Sequence, residues 1–155
     1  MTVTALLAPL VVLLNGLAAG VLLGTQLGGW PLLASLPPDR YVHAHAFFAT
    51  RYDPAMPICL LGTLAGDLVL GLGGSQTPAR VLCLAAALLA AATVAISITK
   101  NVPVNRWIRT IDPDNLPENF ADLDPRGSWG PWNRRRSLLA VLALAANCAA
   151  LSALL

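Results

Sequence analysis

The chain has 155 residues, of which 56% are hydrophobic and only 12% charged, about half the charged share of roughly 25% usual in soluble domains. Its 10 Lys+Arg and 8 Asp+Glu leave a net charge of +2, and residues 1–38, 81–99 and 137–155 carry no charge at all. That pattern excludes a soluble globular domain and a nucleic-acid surface, which needs a continuous basic stripe; it describes membrane spans separated by polar loops.

Uncharged apolar runs long enough to cross a bilayer place four spans, near 4–27, 55–74, 79–99 and 137–155. Lipid cannot satisfy free backbone polar groups, so the expected fold is all-α, a single domain over 1–155 built as an up-down bundle of four transmembrane helices. The first run lacks a basic leader and a small-residue cleavage site, which favours a retained span over a signal peptide. The loops 28–54 and 100–136 hold every basic residue except Arg80. The positive-inside bias therefore predicts that both loops are cytoplasmic and both termini outside.

Span one contributes Asn15 and a small-residue face, Gly16, Ala19 and Gly20, that suits a homo-oligomer contact. In the first loop, Pro37 and Pro38 predict a short interfacial helix from Asp39 toward Arg51. His43 and His45 lie on that helix in an H-x-H pair, about 200° apart, so one faces the bundle mouth as a general base or single metal ligand and the other faces water. A metal ion shared by both is unfavourable in that geometry.

Span two holds Asp67, an acid whose insertion costs about 2.5–3.5 kcal/mol and which needs a partner or a proton. Asn15 of span one and Asn147 of span four fall at a similar depth, so the three polar groups are expected to meet. They would form either a polar site that moves a proton or interhelical glue, helped by the close approach that Gly62 and Gly66 permit. GLGGSQTPAR reads as a tight turn into span three. Cys59, Cys83 and Cys148 show no C-x-x-C spacing and read as small buried hydrophobes.

The third loop is longer than a connection requires and is expected to fold back against the bundle mouth. Pro103 is expected to bend the chain as it leaves span three, among Thr99, Asn101 and Asn105. Trp107, Trp129 and Trp132 suit a membrane interface or an aromatic substrate, Asn133 lies beside them, and Arg134 to Arg136 suit an anchor. Two amide-rich motifs, NVPxN and W-x-x-W-N-x-x-R, thus occupy one membrane face.

Those motifs carry a resemblance. Thr99, Asn101, Val102, Pro103 and Asn105 after span three, with Trp129, Trp132, Asn133 and Arg136 before span four, look similar to the anthrone-oxygenase-like family of small four-helix membrane proteins. The Gly-rich first span and the Asp53-Pro54 lead into span two look similar as well. The resemblance implies oxygenation of an electron-rich, apolar aromatic substrate, with O2 as oxidant. In that chemistry a base removes an acidic C–H, and Asn101, Asn105 and Arg136 hold the resulting oxyanion; His43, His45 and Asp67 are candidate acid-base groups on the reading of the residues themselves. Asn15, Trp107, Trp129, Trp132, Asn133 and Asn147 are candidate substrate contacts. A cofactor-free route competes with a single iron or copper ion held by His43 or His45. The alternatives are a non-catalytic membrane scaffold and a small proton-linked transporter built around Asp67.

Overall fold

The computed structural model describes residues 3–154, and every regular element in that range is helical. Helix α1 (Val3–Gly24) runs through a π-helical turn, Thr25–Gly29, into α2 (Trp30–Ser35), and α3 (Pro38–Arg51) turns back toward the bilayer. Then come α4 (Ala55–Gly73), α5 (Thr77–Ile96), a second π-helical turn at Ser97–Asn101, α6 (Val102–Ile108), the single turn α7 (Phe120–Leu123) and α8 (Arg126–Leu154). Proline stands in the first turn of α2, α3, α5 and α6, where its missing N–H costs no helical hydrogen bond.

Four helical stretches are long and apolar enough to cross a membrane: Val3–Ser35, Ala55–Gly73, Thr77–Ile108 and Phe120–Leu154. They pack in a ring, α1 and α5 each touching both α4 and α8, which makes a four-helix membrane bundle. Small residues fill the interior, among them Ala18, Ala19, Ala86, Ala87, Ala140 and Ala143, while Leu13, Leu72 and Leu88 point outward. This distribution suits lipid, because close helix packing there relies on small residues rather than on the burial of large ones. At Gly62 and Gly66 the backbone of α4 lies directly against Leu14 and Val11 of α1, and a Cβ at Gly66 would collide with the Val11 side chain.

Three of these stretches have 33, 32 and 35 residues; the one starting at Ala55 has 19. At 1.5 Å per residue the first two long ones reach about 50 Å, the third, continuous from Arg126 on, about 44 Å, and the short one about 28 Å, close to the ~30 Å hydrocarbon core. The long helices therefore stand well beyond α4 at one end. There α3 takes the place that an upper half of α4 would fill, and with α2, α6, α7 and the start of α8 it forms a cap. The cap has its own core of Leu33, Tyr41, Val42, Ile108 and Phe120, and Trp107 stacks on Phe120 at 6.3 Å. Arg126 binds the cap together: it pairs with Asp124, donates from Nη1 to the Leu36 carbonyl at 2.8 Å, and lies over the Tyr41 ring.

The third loop does fold back, but much of 100–136 is helical. Asn101 closes the second π turn, α6 follows it, and α8 starts at Arg126, well before Ser137. Pro103 opens α6 rather than bending the chain on exit, because the wide turn before it absorbs the break in hydrogen bonding. Span one likewise continues to Ser35. Cys148 is exposed on the outer face rather than buried. The last residue of the expected span 137–155 lies outside the described residues.

Gly66→Ala is expected to cost about 1–3 kcal/mol through overpacking against α1, and Val11→Ala in the same chain should recover most of the loss. Thermal unfolding in detergent checks this. Unchanged melting of the single variant would show that the α1–α4 contact is looser than described.

Candidate active site

A cavity of about 650 Å³ opens where the bundle meets the cap, above the first turns of α4. This size lies inside the ~300–1,000 Å³ usual for small-molecule sites. Its apolar wall comes from Leu22, Leu33, Phe48, Met56, Leu60 and Val94, and Gly24, Gly28 and Gly29 around the first π turn leave its side open. Its polar wall gathers around Trp129, with His45, Asn105, Ser97 and Arg136.

The tryptophan organises that wall. Its ring lies 4.9 Å from the His45 ring and 5.4 Å from Trp30, with the Arg136 guanidinium 5.8 Å above it. Gly130 is the reason Trp30 fits: a Cβ there would strike the Trp30 ring. The Trp129 indole N–H donates to Asn105 Oδ1 at 2.8 Å, and His45 Nε2 meets the same oxygen at 3.0 Å. An indole N–H can only donate, so it fixes which atom of the Asn105 amide is oxygen. The same oxygen then requires His45 Nε2 to carry a proton.

Neutral His45 consequently accepts through Nδ1, from the Tyr41 hydroxyl at 2.9 Å. Burial pushes the imidazole below its ordinary value of 6.5, with the Asn105 hydrogen bond opposing and nearby Arg136 reinforcing the fall. Burial also pushes the Tyr41 phenol up, so it stays protonated. Asn105 Oδ1 is thus occupied twice, and its amide nitrogen has no hydrogen-bond partner among the described residues.

Arg136 supplies a fixed cation without a carboxylate. Nε and Nη2 donate to Asn133 Oδ1 at 3.0 and 2.8 Å, and Nη1 reaches Ser97 Oγ at 3.3 Å. Asn133 is itself held by Gln26, whose Oε1 accepts from Nδ2 at 2.9 Å. Gln26 and Ser97 sit in the two π turns, so both irregular turns serve the guanidinium. Among the described residues the one ion pair is Arg126–Asp124, in the cap. A cation with only neutral partners in a largely apolar cavity will attract a ligand oxyanion.

A family model described as anthrone oxygenase matches residues 45–146. The chain belongs to the anthrone oxygenase family. The matched stretch begins at His45 and carries Asn105, Trp129 and Arg136, hence the whole polar wall, while the glycine-lined side from α1 and α2 precedes it. Membership points to oxygenase-type chemistry on an apolar substrate with O2. No curated protein and no solved structure matches the chain.

The remaining residues singled out from the sequence of this anthrone oxygenase family member take other places. His43 is exposed on the opposite face of α3. Trp107 packs in the cap, and Trp132 sits between Lys100 and Arg135, so neither lines the cavity. Asn101 and Asn133 are fully buried behind the wall, Asn101 donating to the Trp129 carbonyl at 3.3 Å. Asn147 reaches Asp67 at 3.3 Å inside the bundle, but Asn15 does not join them; its Nδ2 and Asp67 Oδ1 lack hydrogen-bond partners. These three also lie outside the cavity lining. A metal held by both histidines does not fit: they diverge, His43 being exposed and His45 buried, and no cluster of three His, Cys, Asp or Glu exists among the described residues. Tyr41, Gln26 and Ser97 escaped the sequence reading; of these, Tyr41 had a signal, since it stands one helical turn before His45.

Trp129→Phe removes the N–H that fixes Asn105 while keeping the ring. ¹⁵N spectra of labelled histidine should show His45 as the Nε2–H tautomer in the parent and as a mixture in the variant. An unmixed tautomer in Trp129→Phe would refute the indole's part in setting it.

Proposed function

We propose that the cavity oxygenates a flat, apolar, anthrone-like substrate with O2, through an enolate held by Arg136 and Asn105. The observation that carries this reading is the Arg136 guanidinium, held by neutral partners alone in the inner wall, whereas the other charges of the cavity, Asp53, Arg106 and Arg109, stand exposed at its rim. A methylene between two aromatic rings, opposite a carbonyl, is acidic because its carbanion places charge on that carbonyl oxygen. Arg136 and the free amide N–H groups of Asn105 stabilise that oxygen as charge develops, in a site of low dielectric where fixed donors act strongly.

His45 is the base in this reading, and its one lone pair is on Nδ1: taking the proton there requires the Tyr41 hydroxyl to swing from donor to acceptor, while Nε2–H stays on Asn105. The carbanion then gives one electron to O2, the radical pair recombines as a carbon-bound peroxide that takes the proton back from the imidazolium, and loss of water with the remaining C–H proton leaves a carbonyl. Two C–H bonds and the O–O bond break, one C=O forms, and the second oxygen atom leaves as water. Dioxygen is the oxidant, and no outside reductant is needed.

Trp129 serves as the aromatic floor and Asn133 orients Arg136. Asp67 and Asn147 act as a polar tie between α4 and α8 rather than as a proton relay. The distribution of arginines supports a cytoplasmic cap with both termini outside.

Oxygen uptake with emodin anthrone, measured on the detergent-solubilised chain above the rate of autoxidation, tests the reading. Arg136→Ala is expected to lower turnover about a hundred- to a thousand-fold with the folded yield kept. Equal turnover in the variant would remove the oxyanion assignment. Because His45 must be neutral to take a proton, activity should fall on acidification only below pH 6.5, the direction in which burial moves the group; His45→Gln should lose that acid limb along with most of the rate. Gly28→Phe fills open space, since a Cβ there meets nothing within 4 Å. It should raise KM strongly without lowering the melting temperature.

A further inference from the structure

The cavity's rim is graded along the membrane normal. At its charged end stand Asp53, Arg106 and Arg109, all exposed. On its apolar side stand Leu61 of α4 and Ile98 in the π turn that follows α5, which line the cavity and yet are 53% and 62% exposed; Leu32 of α2, 52% exposed, lines it beside the first π turn. A side chain that both faces a cavity and is open to the surroundings marks an opening. Leu61 lies six residues inside α4, about 9 Å below its first residue, and Ile98 precedes Lys100. This opening is therefore on the hydrocarbon side of the exposed charges Arg51, Lys100, Arg134 and Arg135.

The length mismatch explains why the wall parts here. Helices α4 and α5 pack along the bundle, but α4 stops at Ala55 while its neighbour continues through the π turn into α6. Above that point α3 packs beside α6 in place of α4. The wide turn at Ser97–Asn101 shifts the backbone off the regular helical path at the same level.

The geometry points to a lateral portal between α4 and the second π turn, bounded by Leu61 and Ile98, through which an apolar aromatic solute passes between the bilayer hydrocarbon and the cavity. The cargo's identity rests on the oxygenase reading; the opening itself does not. A flat polycyclic substrate concentrates in the bilayer, and a side door delivers it ring-first toward Trp129 with its oxygen free to turn to Arg136. Dioxygen, which also prefers hydrocarbon, uses the same door. The charged end of the rim, with Arg106 and Arg109, sits at headgroup height and offers no comparable path to a neutral ring system.

The test uses the full chain in liposomes containing a phospholipid with a photoreactive diazirine on its acyl chain. A lateral portal is expected to give adducts on inward residues of the cavity, Leu60 and Val94, in addition to the outward Leu88 and Leu138. Ile98→Trp should lower the inward adducts several-fold and leave the outward ones unchanged. Adducts confined to outward residues would overturn the portal. A second arm measures anthrone oxidation at several lipid-to-protein ratios: a bilayer route makes KM constant in mole fraction within the membrane, and constancy in aqueous concentration would overturn it. Absence of anthrone oxidation would sink the oxygenase reading, and the labelling pattern would still decide the portal.

Discussion

Everything in this molecule follows from a mismatch of helix lengths. Three helical stretches extend past the bilayer and one does not, so the bundle closes at one end and gapes at the other. The chain fills the gap with α3, a segment of low hydropathy that cannot serve as a span, and the fit between α3 and the top of α4 leaves a cavity. A bundle of four equal helices with these small interior residues would have packed shut along its length. The cap is what keeps the gap from collapsing: its core, around Tyr41, Ile108 and Phe120, holds α3 against the cap ends of the long stretches.

Within the cavity, chemistry is organised by orientation more than by unusual residues. Trp129 fixes Asn105, Asn105 fixes the histidine tautomer, and Tyr41 accommodates either protonation state of that histidine. A parallel chain through Gln26 and Asn133 holds Arg136. Both chains draw on residues from the two ends of the sequence, and they converge on one ring. Neutral dipoles around a cation leave its charge unspent, in contrast to Arg126, whose charge is taken by Asp124 and by backbone carbonyls.

Much of this was legible beforehand, and the limits have physical causes. Four apolar runs without charge dictate four helices, and the proline pair before Asp39 dictates α3. The motifs around Asn105 and Arg136 pointed to the polar wall because amides and guanidinium at a membrane face need a common purpose. Periodicity told that the two histidines diverge, but which one turns inward depends on packing against Trp129 and Tyr41. Trp107 stands two residues beyond Asn105, about 200° around α6, and so belongs to the cap rather than the cavity. Asn15 missed Asp67 because equal depth in a bilayer fixes height, not facing. The π turns carried no signal, since their residues, TQLGG and SITKN, are composed like the helices around them.

Those two turns have a consequence for how the protein can vary. A π turn accommodates one extra residue in an α-helix, and each residue turns the chain by about 100°. Helices that carry one therefore present one set of faces to lipid and a rotated set to the cap, with the phase reset at the cavity. The membrane half and the cap half of each helix become two separately phased surfaces on a single rod, so substitutions that adapt the bundle to its lipids leave the register of the polar wall untouched. Removing one residue from either turn would break that independence and swing Gln26 or Ser97 away from the arginine network they support.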